Sequence, residues 1–126
     1  MNRTLMSIAG DCFELGRQLY NNQDYAHAEP WFRQALKKDS EENDGSVSRL
    51  EVLEYLEFTT FKLGTLMSDQ WNAFEWKQII VGNVREAVKL ASQVLQLSPD
   101  HLRIKANKEN YERMLKEEKK TEVEEG

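Results

Sequence analysis

The side chains that come closest to a catalytic ligand set are His27, Glu29 and His101, which follow the His-x-carboxylate…His order of non-haem iron sites. His27 and Glu29 are two residues apart, so on a helix their side chains would point about 200° apart and could not share one metal ion. The sequence also contains no glycine-rich phosphate loop, no nucleophile elbow and no zinc-binding spacing. We therefore expect neither catalytic residues nor a metal site.

The composition disfavours several further classes of function. The 126 residues carry a net charge of −5, which argues against DNA or an anionic membrane surface as a partner. The single cysteine, Cys12, cannot form an intramolecular disulfide, and its place on an apolar stripe predicts a small core residue. No stretch has the roughly 20 apolar residues of a membrane span, and the N-terminus lacks the apolar run of a secretory signal. We expect a cytosolic protein or a segment of a longer chain.

The elements that must position any site are predicted to be helices, because the apolar residues recur at three- and four-residue steps and no segment alternates like a strand. Asp24 is the predicted N-cap of the second helix, and Ser98 that of the fifth. The fold class is therefore all-α with about five helices. They are expected at about 4–21, from 24 to a loop at 39–47, at about 48–63, at about 84–97, and from Ser98 onward.

The domain organisation is predicted as a single helical repeat domain over residues 1–115, followed by a charged tail at 116–126 that is frayed or disordered. Residues 64–81 look like an insertion, because deleting them restores the repeat described below without a gap. One interpretation is a longer loop or a short extra helix starting near Ser68-Asp69. The other is a short intron retained in the coding sequence, which requires a GT…AG pair bounding this segment in the gene.

Two stretches of the chain look like copies of one unit. A register that places Ala28 opposite Ala87 also places Leu36 opposite Leu95, and Leu15-Gly16 precedes the first copy. This pattern resembles the tetratricopeptide repeat, a helical hairpin of about 34 residues. The resemblance implies antiparallel helix hairpins in a right-handed curved strip, whose concave wall is lined by the first helix of each pair.

A more specific resemblance covers about residues 11–113. The segments Asp11–Gly16, Asp24–His27, Trp31–Leu36, Val52–Leu56 and Ser98–Arg103 are similar to the peptide-substrate-binding domain of the collagen prolyl 4-hydroxylase α-subunit. The Cys-Phe-Glu-Leu-Gly block and the His-x-x-x-Trp pattern are its most specific parts. The resemblance implies an all-helical domain of about two and a half repeats that docks a procollagen substrate.

The resemblance further implies a groove that holds a proline-rich, collagen-like strand in the polyproline II conformation. Such a strand has no internal hydrogen bonds, so aromatic rings can pack on its prolines while polar side chains bond its free carbonyls. Tyr55 and Phe61 are separated by about 9 Å of helix axis, near one polyproline II turn, although six residues also rotate the side chain by about 120°. The peptide-binding residues implied at matching positions are Glu54, Tyr55, Phe58, Phe61, Arg103 and Asn107.

Four positions depart from the family pattern. Phe58 and Phe61 replace tyrosines and so lose hydroxyls, while Asn110 and Arg113 replace two further tyrosines and remove ring surface. These changes predict binding of collagen-like peptide that is weaker or directed to another sequence. Alternatively, Tyr55, Phe58 and Phe61 are ordinary packing residues. The alternative function is that of a generic tetratricopeptide-like scaffold for protein–protein interaction.

The resemblance also bears on catalysis, partners and compartment. The family's catalytic domain is expected to be absent from this chain, which would then not be an enzyme by itself. Iron, 2-oxoglutarate and ascorbate are implied only for that missing domain, and no cofactor is expected here. The family implies protein disulfide isomerase as a co-subunit and the endoplasmic reticulum lumen as the compartment. No nucleic-acid or membrane partner is expected.

Overall fold

The computed structural model describes residues 8–42, 45–66 and 73–125, and every regular element in these ranges is an α-helix. This confirms the all-α class predicted from the apolar spacing. The five helices are α1 (Ile8–Asn21), α2 (Tyr25–Glu42), α3 (Arg49–Leu66), α4 (Ala73–Leu97) and α5 (Leu102–Glu125).

The helices pack in the order in which they follow one another along the chain. α1 pairs with α2 and α3 pairs with α4, while α2 packs on α3 and α4 packs on α5. α1 also touches α3. These are the stacked hairpins of a tetratricopeptide-like fold, with α5 as the first helix of a third pair. The first helices of successive pairs therefore lie side by side on one face.

Small residues allow the helices of each hairpin to approach closely. Ala28 and Ala87, which the repeat places in equivalent positions, are both 0% exposed. Gly16 lies so close to the ring of Phe32 that an added Cβ would stand 2.6 Å from the nearest ring carbon. Phe32 can therefore fill the centre of the larger core cluster, which it shares with Cys12. The predicted burial of Cys12 is confirmed.

The buried face of α1 is rotated from the predicted one. Ile8 and Leu15 share the apolar stripe of Cys12 in the sequence, yet they are 52% and 41% exposed. The buried residues of this helix are instead Ala9, Cys12, Phe13 and Gly16. Close packing against α2 needs small side chains at the contact line, and this requirement turns the larger aliphatic residues outward.

Residues 64–81 do not form a loop in the part that the structure describes. α3 continues to Leu66 and α4 begins at Ala73, so this segment lengthens both helices of the second hairpin. An added Cβ on Gly64 would lie 2.9 Å from the Cβ of Asn83, which marks a close approach of the two helices beyond the predicted end of α3. The predicted helix start near Ser68-Asp69 lies outside the described residues.

The charged tail predicted from residue 116 is helical to Glu125. The part of α5 just before the tail packs on the early part of α4: Met114, Leu115 and Ile80 all lie against the second core cluster, which is formed by Val84, Ala87 and Tyr111. The Nζ atom of Lys77 lies 3.8 Å from Oε2 of Glu118. Because α4 begins earlier than expected, α5 has a partner over a greater length than the sequence predicted.

The start of α5 also differs from the prediction. Ser98 was the expected N-cap, but its amide donates to the Val94 carbonyl at 2.8 Å and so closes α4. His101 caps α5 instead, since its Nδ1 accepts the Ile104 amide hydrogen at 3.3 Å. The three residues from Ser98 to Asp100 form a turn, and the helix begins at Leu102.

Candidate functional site

A cleft of about 510 Å³ opens where α1, α3 and α5 lie side by side. These three helices are the first members of their pairs, so the cleft lies on the wall that the repeat resemblance implied would be concave. Five of the six predicted site residues line it, and Phe61 does not. The lining residues are Tyr20, Glu51, Glu54, Tyr55, Glu57, Phe58, Arg103 and Asn107.

Phe61 points out of the cleft, towards Tyr111 of α5. Its ring stacks on Tyr111, with centroids 4.6 Å apart and planes inclined by 27°. It packs against the second core cluster together with Ile80. The ring of Tyr111 on α5 provides the stacking partner that holds Phe61 there. Phe61 thus lies outside the cleft, in the packing between α3, α4 and α5.

Four aromatic rings form one wall of the cleft and its rim. Tyr20 meets Tyr55 edge-on at 4.9 Å and Tyr25 edge-on at 5.4 Å. Phe58 lies 6.2 Å from Tyr20 and 6.4 Å from Tyr25, between centroids. The Tyr55 ring also packs on the core rings of Phe13 and Phe32, with centroids 5.5 and 5.6 Å away. These ring contacts fix the orientation of the aromatic side chains. Tyr55 and Phe58 are only partly buried, so both retain contact with solvent.

Tyr20 and Tyr25 meet because of the turn that joins α1 to α2. Gln23 has a φ of 62°, its amide donates to the Tyr20 carbonyl, and the Asp24 amide donates to the Leu19 carbonyl. This pair of bonds is a Schellman motif, which ends a helix tightly. Asp24 then accepts the His27 amide hydrogen at 3.4 Å, which confirms it as the N-cap of α2. Tyr20 was not among the residues predicted for the site, although it directly precedes this turn.

A polar wall faces the rings from α3 and α5. Oε1 of Glu54 lies 2.7 Å from Nε2 of His101, and Oε2 of Glu54 lies 3.4 Å from a terminal nitrogen of Arg103. The Arg103 side chain is 69% exposed, while that of Glu54 is 20% exposed. Glu54 therefore holds one terminal nitrogen of the Arg103 guanidinium, and the other N–H groups of this arginine remain available to a ligand.

Glu57 lies at the floor of the cleft and is 1% exposed. Burial raises the pKa of its carboxyl group, and the nearby Tyr111 hydroxyl, Asn107 amide and Arg103 charge oppose that rise. Neither of its oxygens makes a hydrogen bond of good geometry among the described residues. Burial, together with the neighbouring Glu57, also raises the pKa of Tyr111. A charged residue at a position where the repeat pattern has glycine was the signal that could have identified Glu57.

The histidines that resembled iron ligands lie in different places. His27 has its Nδ1 2.9 Å from Asp24 at the start of α2, and His101 contacts Glu54 in the cleft. Within residues 8–42, 45–66 and 73–125, no three His, Cys, Asp or Glu side chains are grouped so as to hold a metal ion. None of the helices in these ranges is both long and apolar enough to cross a membrane.

The stacked hairpins, with a cleft on the face formed by the first helix of each pair, define a tetratricopeptide-like repeat domain. Residues 9–73 match the family described as the "Prolyl 4-hydroxylase peptide-substrate-binding domain". The chain belongs to this family. The segments quoted in the sequence analysis therefore identified the family correctly, and more narrowly than the repeat pattern did.

Individual relatives agree with this assignment. The chain is 34% identical over 105 residues to "Prolyl 4-hydroxylase subunit alpha-2" of Caenorhabditis elegans, covering 83% of this chain and 16% of that protein. It is 31% identical over 109 residues to the subunit of the same name from Gallus gallus, with 86% and 17% covered. The "Prolyl 4-hydroxylase subunit alpha-1" of Homo sapiens is 31% identical over 111 residues, with 88% and 17% covered. The chain thus spans about a sixth of the length of these relatives.

Proposed function

We propose that this domain binds a proline-rich, collagen-like peptide in the polyproline II conformation, as the substrate-docking module of a procollagen prolyl 4-hydroxylase. The observation that carries the proposal is the composition of the cleft. Aromatic rings from α1 and α3 form one wall, and the donors of Arg103 and Asn107 stand on the other. Family membership supports a peptide as the ligand. The composition of the cleft supports the polyproline II conformation for that peptide.

The two walls match the two surfaces of a polyproline II strand. Proline rings are flat and apolar, and they pack on aromatic faces such as those of Tyr55 and Phe58. The backbone of the strand has free carbonyls and, at proline, no amide hydrogen, so it needs donors from its partner. Arg103 and Asn107, one helical turn apart on α5, can both donate.

Binding a strand of this kind also costs little conformational entropy. It is already extended in solution, so the cleft does not have to order it from a flexible coil. The rings that receive it are held upright by their mutual edge contacts, and Arg103 is held by Glu54. Preorganisation on both sides allows a small, open site to bind with useful affinity.

The proposed role is docking, with the chemistry performed elsewhere in a longer assembly. The described residues do not fit an iron site, since no three suitable donors converge. We assign iron, 2-oxoglutarate and ascorbate to a catalytic domain outside this one. The proposal extends to protein disulfide isomerase as co-subunit and to the endoplasmic reticulum lumen, because the relatives are prolyl 4-hydroxylase α-subunits.

The direct test is a calorimetric titration of the domain with a (Pro-Pro-Gly) repeat peptide. The matched control is a peptide of equal length in which alanine replaces every proline, because it keeps the backbone but loses the rings and the polyproline II preference. We expect saturable binding of the proline peptide and at least tenfold weaker binding of the alanine peptide. Equal affinities, or no binding of the proline peptide, would contradict the proposal.

A further inference from the structure

The cleft contains more negative than positive charge. Three glutamates from successive turns of α3 line it, and Arg103 is the cationic side chain among the lining residues. Glu54 shares that arginine and also contacts His101. In the part of the chain that the structure describes, the other two, Glu51 and Glu57, take part in no ion pair.

Glu57 is the unusual member of this set. Two other buried polar side chains of α3, Thr59 and Thr60, satisfy their hydroxyls by donating to the carbonyls of Tyr55 and Leu56 at 2.7 and 2.8 Å. Glu57 is as buried as they are, yet among the described residues neither carboxyl oxygen has a hydrogen bond of good geometry. Leaving a buried carboxyl group in this condition is costly, so its presence at the floor of a cleft points to a ligand.

We propose that the peptide held in this cleft carries a lysine or arginine side chain whose charged end reaches the carboxyl group of Glu57. The domain would then select proline-rich sequences that contain a basic residue. This inference rests on the proposed function and specifies the substrate class of the same site.

The surroundings of Glu57 suit such a side chain. The apolar stem of a lysine can lie along the rings of Tyr20 and Phe58, which line the path to the floor. The charged end would form a charge-assisted hydrogen bond with the Glu57 carboxylate, in addition to the nearby Tyr111 hydroxyl and Asn107 amide that already favour its charged form.

Binding of a cation should be coupled to the ionisation of Glu57. Burial holds the pKa of this carboxyl group above its ordinary value in the empty cleft. The groups that act on it are Asn107, Tyr111, Arg103 and His101 from α5 and its N-terminal turn. A bound ammonium group favours the carboxylate, so the lysine contributes more to affinity as pH rises through the pKa of Glu57.

The experiment uses two peptides, a nine-residue proline peptide with lysine at its centre and the same peptide with norleucine there. Norleucine keeps the stem and removes the charge. Both are titrated into the wild-type domain, Glu57→Gln and the matched control Glu51→Gln, at several pH values from 5 to 8. Circular dichroism and thermal unfolding establish that each variant is folded.

We expect the lysine peptide to bind the wild type about tenfold more tightly than the norleucine peptide at pH 7.5, a typical value for a hydrogen bond to a charged group. This preference should shrink at pH 5, disappear in Glu57→Gln and persist in Glu51→Gln. Equal binding of the two peptides by the wild type would overturn this inference while leaving the proposed docking function intact. Persistence of the preference in Glu57→Gln would also overturn it. Failure of both peptides to bind would instead remove the proposed function itself.

Discussion

Nε2 of His101 lies 2.7 Å from Oε1 of Glu54 and joins the start of α5 to the middle of α3. The other ring nitrogen, Nδ1, accepts the amide hydrogen of Ile104. Because Nδ1 is an acceptor, the proton of the neutral ring belongs on Nε2, which donates to the carboxylate. One side chain therefore caps α5 and orients the glutamate that holds Arg103.

Removing the His101 side chain should destabilise the domain. His101→Ala loses an N-cap and a hydrogen bond to a carboxylate, so we expect the free energy of unfolding to fall by about 1–2 kcal/mol in urea denaturation. The control is His27→Ala, whose ring is 77% exposed and contacts Asp24, so this substitution should change stability by less than about 0.5 kcal/mol. An equal effect of the two substitutions would show that the contact with Glu54 is unimportant.

Phe58 and Phe61 should separate binding from packing. Phe58 lines the cleft and Phe61 does not, although each is partly buried. We expect Phe58→Ala to weaken binding of a (Pro-Pro-Gly) peptide by about 1–2 kcal/mol through the loss of a ring face. Phe61→Ala should lower the melting temperature through the loss of its stacking on Tyr111 and leave the affinity of the folded domain nearly unchanged. Titration calorimetry measures the change in affinity, and thermal unfolding measures the change in stability. Weaker peptide binding by Phe61→Ala together with unchanged binding by Phe58→Ala would indicate that Phe61 belongs to the binding site.

The stability of the domain should depend on pH through Glu57. Burial raises the pKa of this group in the folded state, whereas an unfolded glutamate titrates near about 4.3. The folded state therefore retains a proton that the unfolded chain has already lost, and the free energy of unfolding falls as pH rises through the folded pKa. The stabilising contribution of the neutral group is complete below the unfolded pKa.

The glutamine of Glu57→Gln cannot ionise, so this variant should not lose stability as pH rises. The difference in unfolding free energy between the variant and the wild type should move in favour of the variant between pH 4 and pH 8. Urea denaturation at each pH measures it, with Glu51→Gln as an exposed control that should follow the wild type. A difference that stays constant with pH would indicate that Glu57 has an unshifted pKa.

Two glycines in helices should respond oppositely to alanine. In Gly16→Ala the new methyl group would stand 2.6 Å from the Phe32 ring, so we expect a loss of about 1–3 kcal/mol from overpacking. In Gly82→Ala nothing lies within 4 Å of the new group, so the higher helix propensity of alanine should stabilise α4 by up to about 1 kcal/mol. Chemical denaturation distinguishes the two, and stabilisation by Gly16→Ala would contradict the close packing of α1 and α2.

The sequence by itself was sufficient to predict the helices and to identify the family. Apolar spacing follows the helical period wherever one face is buried, and Asp24 capped α2 as predicted because capping depends only on neighbouring residues. The family blocks led to Tyr55, Phe58, Glu54, Arg103 and Asn107, which the structure brings together around one cleft.

Tertiary packing decided the remaining features, because they depend on contacts between distant parts of the chain. Which way Phe61 points was settled by the position of Tyr111 on α5, and periodicity on α3 alone does not contain that position. The length of α5 follows from the early start of α4, which provides Lys77 and Ile80 as partners. The burial of Glu57 likewise arises only when α3 and α5 are packed together. The sequence marks this position as unusual, because glutamate stands where the repeat has glycine, but it does not place the carboxyl group at the floor of the cleft.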